Sequence, residues 1–343
     1  MDLVLPNPLT GRFNPLNGSL TGRIDTFFSD AIRSRYFKGM DFDSPAGDPG
    51  WFGPDSAVWH VHGHFPTLLL GLTAATFIEN LHPSIAWMAF DHSRLVQRDD
   101  DGVPTGRIDA EGAKVRLAHS LAFFLGTAFG STASAERVSR NVRAMHHRIK
   151  GVRPDGVVYD ADEPEWLRWN YATVVWGIAT AHERYHPQAL RGADLDRYYG
   201  EFVKVGEALG GTDLPATKAE VLDYLESELP TLALTYIAAS RTWPNVRESL
   251  PLAAQPLEWL LDWARKDMLP EWGQKLILHR RSDPVTTEAR RTAVRGVLAA
   301  AHVAFDPLRE VTDARARVAA PPAETPAAGI ADHEADAALV PTA

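Results

Sequence analysis

The sequence predicts an all-α protein, and three observations support that class. From about residue 55 onward, apolar residues recur at helical spacing in one segment after another. The breaks carry turn residues: Gly63 and Pro66, Pro83, DDDGVPTG at 99–106, FGS at 129–131 and RPDG at 153–156. Strand signal is confined to VVY at 157–159, and no period of roughly 20–50 residues repeats as a solenoid or propeller would require.

Taken in order, residues 1–50 are rich in Pro, Gly and Asn around one amphipathic piece near 23–37. They read as an extended N-terminal arm with a short helix, wrapping the domain or a partner subunit of a homodimer. Helices are predicted over 56–62, 66–80, 83–91, 109–129, 134–150 and 163–185. Further helices follow over 194–209, 217–229, 231–241, 255–268, 271–279 and 286–305. The domain is expected to span 51–312. From 313 the chain is rich in Ala, Pro, Asp and Glu without helical apolar spacing, so 313–343 reads as a disordered tail.

Composition bounds the function. A chain of 343 residues with 45% hydrophobic and 23% charged residues is long enough for a large buried core. A net charge of −9 argues against a nucleic-acid partner, which would need a basic face. With no cysteine there is no disulfide, thiolate nucleophile, iron–sulfur cluster or Cys-ligated metal. The N-terminus has no basic start followed by an apolar run. The longest apolar stretch, TLLLGLTAATFI at 67–78, is shorter than the ~20 residues that span a bilayer, so a cytoplasmic protein without a membrane span is expected. No GxSxG, P-loop or GxGxxG stands in a fitting context, which leaves hydrolase and nucleotide readings without support.

The histidines carry the remaining signal. In VRAMHHRIKG, His146 falls on the stripe Val138, Val142, Met145, Ile149, whereas His147 lies beside Arg143, Arg148 and Lys150. His146 is therefore the buried one, and a buried imidazole needs a partner. A core histidine bonded to a carbonyl or carboxylate satisfies that need, and so does a metal ligand. In the preceding helix, His119 shares a stripe with Val115, Ala122, Gly126 and Phe129, and Arg116 and Ser120 flank it. The small residues there leave room for a flat group or for a closely packed neighbour. Two consecutive helices, each with one histidine on an apolar stripe, could sandwich a porphyrin.

WHVHGHF at 59–65 is the more conspicuous cluster. His60 and His64 stand at i, i+4, a zinc-like spacing, with His62 or a distant carboxylate as a third ligand. No HExxH glutamate lies between them, and Gly63 with Pro66 breaks the helix beneath His64, so a metal site there ranks second. His82 and His92 read as helix-end residues bonded to backbone, and AHERYHP at 181–187 as an exposed helix end.

The segments GWFGPDSAVW (50–59), LHPSIAWMAFDHSR (81–94), RLAHSLAFFLGTAFGSTASA (116–135), VRAMHHRIKG (142–151) and DEPEWLRWNYAT (162–173) together resemble the rubber-oxygenase catalytic-domain family, which includes the latex clearing proteins and the MpaB-type oxygenases. The resemblance covers about 50–240. It implies an all-α fold with a globin-like helical core and additional helices, a haem b cofactor, dioxygen as co-substrate and an apolar, isoprenoid-like substrate, here a small intracellular one. By position, the family's proximal haem histidine falls on His146, its distal arginine on Arg116 and its distal threonine on Ser120. Its distal lysine falls on His119, which could ligate iron as a sixth ligand or act as an acid–base group. Lys150 stands four residues after the proximal position, and Tyr171 takes the place of a second family histidine after Trp169. Val115, Ala122, Phe123, Val142 and Met145 are expected to line the pocket. A bis-histidine haem protein for electron transfer or sensing, and a haem-free scaffold of the same fold, are the alternatives.

Overall fold

The computed structural model describes residues 35–241, 251–305 and 308–321. Most of the N-terminal arm, including its amphipathic piece up to residue 34, and the tail beyond 321 lie outside the described residues.

The core is built on two long helices. Helix α1 (Ala57–Gly63) is capped by Ser56, whose hydroxyl accepts from Trp59 N. It stops at Gly63, and the chain turns by 91° into α2 (Phe65–Glu79), which has Pro66 in its first turn. Helix α2 is apolar on every side and accordingly buried along most of its length. After α3 (Pro83–His92), β1 (Val96–Arg98) and β2 (Pro104–Ile108) form a hairpin. The turn is held by Asp99, whose carboxylate accepts from Asp101 N at 3.1 Å and Val103 N at 2.8 Å. This hairpin was not predicted, because its turn residues are conspicuous while its strands do not alternate.

Helix α4 (Ala110–Phe129), capped by Asp109, and α5 (Thr132–His146), capped by Ser131, are joined at Gly130 and pack against each other. Helix α5 ends four residues earlier than its apolar spacing predicts. Lys150 already belongs to β3 (Lys150–Val152), which pairs with β4 (Val158–Asp160). Gly151 is required there, since the Tyr159 ring lies across it and a Cβ would meet the phenol oxygen at 2.3 Å.

Helix α6 (Pro164–Tyr185) packs along α2. Small residues make the crossing close: Gly71, Ala74 and Ala75 face Gly177 and Ala181. Helices α7 (Ala193–Ala208) and α8 (Lys218–Ser227) cover one flank, and α9 (Tyr236–Arg241) packs on α3 and β2. On the other, α10 (Gln255–Met268), α11 (Glu271–Leu276) and α12 (Pro284–Phe305) follow. There Trp263, Met268, Val294 and Leu298 close over Leu70, Ala181 and Tyr185.

Helix α13 (Arg309–Ala319) extends past 312, where the sequence placed the end of the domain. Its Arg317, 1% exposed, donates to Asp48 O, Phe42 O, Phe129 O and Gly130 O at 2.8–3.2 Å. That guanidinium binds the end of the arm, the α4–α5 turn and α13 together. Phe37 and Phe42 of the arm lie in the core, so this part of the arm wraps its own domain.

No single helix among the described residues is long and apolar enough to cross a membrane; α1 and α2 pass that test only together, across their bend.

Candidate functional site

The buried face of α5 runs through Ala135, Val138, Ser139 and Val142 to His146, which stands in its last turn. His146 is half-buried, and its Nδ1 is buried without a hydrogen-bond partner. Burial lowers its pKa; Asp162 pulls the other way, and the Arg116 charge lowers it further. The ring is thereby held neutral, the form a metal ligand needs. His147 points outward, with Nδ1 2.6 Å from Asp162 Oδ2. The difference between the neighbours is the one a helical period dictates.

Arg116 also acts on Glu79, the last residue of α2, which is 7% exposed. Burial pushes the Glu79 carboxyl up, while Arg116 and a hydrogen bond from Asn170 Nδ2 pull it back. Trp169 Nε1 donates to Glu79 O at 3.2 Å and fixes the end of α2 against α6. The Arg116 charge thus acts on both the His146 imidazole of α5 and the buried Glu79 carboxyl of α2, a perturbed pairing of the kind found at reactive sites and in structural ion-pair networks alike. Sequence reasoning missed Glu79 and Asn170. The signal for Glu79 was available: it is the single acid closing the apolar run 67–79. His82, predicted as a helix-end residue, accepts from Ser84 N at 3.2 Å and stacks edge-on against Trp166. Burial and Arg153 push its pKa down to about 4.

The other residues proposed from the sequence spread more widely. His119 is exposed on α4, its ring 5.0 Å from that of Tyr36, and burial with Arg94 and Arg35 lowers its pKa. Ser120 Oγ donates to Arg116 O at 3.1 Å, and Arg116 Nη1 approaches Ser93 Oγ at 3.4 Å. Val115 is half-buried, Ala122 and Phe123 belong to the core, and Val142 packs against it. Met145 is 48% exposed, since the stripe that was to bury it ends with the helix. Lys150 sits on the surface, ion-paired to Asp160 at 2.5 Å. Tyr171 is buried, and its hydroxyl donates to Pro215 O at 3.0 Å, on the α7–α8 side. The small stripe on α4 admits a neighbour: the space beside Gly126 is taken by Met40 and Val138.

A second cluster gathers five histidines. His60 from α1, His64 at the bend, His182 and His186 from the end of α6 and His302 from α12 lie ring to ring, with centroids 4.2–5.3 Å apart. The expectation that AHERYHP is an exposed helix end is overturned. His182 is fully buried and Tyr185 is 4% exposed, because the 284–305 helix folds back over them. Burial and mutual repulsion push His182 to about 2, His64 to about 3 and His186 to about 4. His62 turns instead to Tyr198, its Nε2 3.2 Å from the phenol oxygen.

No curated protein and no solved structure gave a significant match. One family did: the family described as ER-bound oxygenase mpaB/B'/Rubber oxygenase, catalytic domain, matches residues 59–304. That span contains every helix from the last turns of α1 to α12, together with both histidine-bearing sites, and on that match the chain belongs to the mpaB/rubber oxygenase catalytic-domain family.

Proposed function

We propose that this oxygenase-family protein is a haem b-dependent oxygenase acting on dioxygen and a small apolar substrate, in which His146 would hold the haem iron. The observation that carries the reading is the buried, partnerless Nδ1 of His146, a ring on which the Arg116 charge also acts. A neutral imidazole with an unsatisfied nitrogen is a strained choice for a structural core residue and a ready one for a metal ligand. When bound, the haem supplies an iron at which dioxygen is activated.

This chain's own groups would supply the rest. Arg116, whose charge acts on both His146 and Glu79, would supply a fixed positive charge able to stabilise negative charge that develops in the reaction. Glu79 holds or releases a proton at its carboxyl, with Asn170 fixing its orientation and Arg116 setting its charge state. The Ser120 hydroxyl, bonded back to Arg116 O, stiffens the turn that carries the arginine. The apolar side chains Val115, Ala122, Phe123 and Val142 suit a substrate without charge.

The test is the visible spectrum of the chain purified from a haem-supplied host. A Soret band near one haem per chain, lost in His146→Ala and kept in His147→Ala, is expected. Colourless protein, or equal haem retention in both variants, would sink the reading.

A further inference from the structure

The five-histidine cluster is separate from the Arg116–His146 site and takes no part in the chemistry proposed there. Its histidines come from three distant segments, α1 and its bend, the end of α6, and α12. One ring nitrogen from each of His60, His182 and His186 lies within 4.8 Å of the other two. An ordinary packed core would not bring imidazoles together in this way and then leave one nitrogen of the innermost, His182 Nδ1, buried without a partner.

We propose that His60, His182 and His186 bind one divalent transition-metal ion of the zinc class. Three neutral imidazoles suit that class, because nitrogen donors favour zinc, cobalt, nickel and copper over calcium or magnesium. Three protein ligands leave a fourth position open. The Nδ1 of His64 contacts Thr67 Oγ1 at 3.0 Å, and Thr67 in turn donates to His64 O, so the proton lies on His64 Nδ1. His64 Nε2 therefore keeps its lone pair, and the His64 ring lies 4.7 Å from that of His186. The ring of His302 stacks on His64 at 4.2 Å and backs it.

The supporting shell is partly in place. His60 Nε2 donates to Gln188 O at 2.8 Å, which fixes the tautomer and leaves Nδ1 free to coordinate. His182 Nε2 accepts from Leu190 N, and His186 Nδ1 accepts from Gln188 N, both at 2.9 Å. In these two rings the proton therefore sits on the other nitrogen. Loading the ion through that nitrogen transfers each proton to the side now facing an amide, so the 187–191 turn must release both amides. A tetrahedral ion would also draw the donor nitrogens to about 3.4 Å from one another, closing the rings by about an ångström. His60 and His186 are only half-buried, which gives the ion a way in. Once bound, it ties the α1–α2 bend to the far end of α6.

The experiment uses the full chain, stripped with a chelator and titrated with Co2+, whose visible absorption reports tetrahedral coordination, and then with Zn2+ in competition. One equivalent of cobalt displaced by zinc is expected. His60→Ala and His186→Ala, at half-exposed positions, should each weaken binding by at least the ~10–100-fold seen for lesser changes around metal sites. His147→Ala, a control for surface histidines, should leave it unchanged. Hydrogen exchange at the Leu190 amide should speed up on loading; unchanged exchange with cobalt bound would remove His182 from the ligand set and overturn the site as drawn. Cobalt binding that survives both His60→Ala and His186→Ala, or no binding above that of the double variant, would overturn it outright. Repeating the titration in the His146→Ala chain keeps this outcome independent of the haem reading.

Discussion

Gly71 of α2 and Gly177 of α6 meet backbone to backbone: a Cβ on Gly177 would lie 2.6 Å from Gly71 O. The two helices that carry Glu79 at one end and His182 at the other are therefore set by what these positions lack. Gly177→Ala should force the helices apart and destabilise the fold by about 1–3 kcal/mol, the usual cost of overpacking. Gly296→Ala is the contrasting change, since nothing lies within 4 Å of its missing Cβ on α12. It should stabilise by about 0.5–1 kcal/mol through helix propensity. Urea unfolding midpoints of the two variants should move in opposite directions; a Gly177→Ala midpoint at the wild-type value would show that the crossing has slack.

Arg116 is exposed and makes few bonds, yet its charge reaches both Glu79 and His146. Arg116→Gln should leave the thermal midpoint nearly unchanged and cut oxygenase turnover ~10²–10³-fold, the range for removing one charge-stabilising donor. Full activity in the variant would take Arg116 out of the reaction.

His119 lies against Tyr36 with Arg94 and Arg35 nearby. His119→Ala should accordingly leave the ferric absorption spectrum of the haem-loaded chain unaltered. A change from low spin to high spin would put the imidazole on the iron instead.

For His82 the folded pKa of about 4 lies below the ordinary 6.5, so the unfolded chain binds the proton more readily. Its contribution to stability is complete above pH 6.5 and is lost as pH falls toward 4, up to about 3 kcal/mol in all. His82→Asn keeps an acceptor for Ser84 N but does not titrate. Stability measured from pH 7 to pH 4 should fall less steeply in that variant than in the parent; parallel curves would show that the imidazole is not the titrating group.

Much of the helical order was legible because it is local. The 255–268 helix is found within the same bounds, and the breaks at Gly63 and Gly130 fall where the turn residues stand. The choice of His146 over His147 as the more buried ring needed only the helical period, even though Ile149, used to argue it, lies off the helix. What was illegible depends on distant segments. Nothing near 181–187 tells that the helix 284–305 will cover it, or that His302 will face His64. The room left by Gly126 could not be assigned to Met40, which lies 86 positions earlier in the chain. In the same way, the bend at Gly63, which spoils a two-histidine helix site, is what turns His64 toward residues of α6 and α12.

Arg317 gives the fold a temporal order as well as a spatial one. The carbonyls it gathers belong to residues 42–48 and 129–130, and the bond to Asp48 spans 269 positions. During translation those early residues are made first, yet the guanidinium that binds them is added only near the end. Until then the arm is tied to the α4–α5 turn by Thr132, which donates to the Asp48 carboxylate, and by Ser131 N, which donates to Asp41 O, a hold without the guanidinium and so more open to proteases. Ribosome-bound chains halted before residue 317 should be cleaved near residues 42–50, and chains long enough to free α13 from the ribosome should resist.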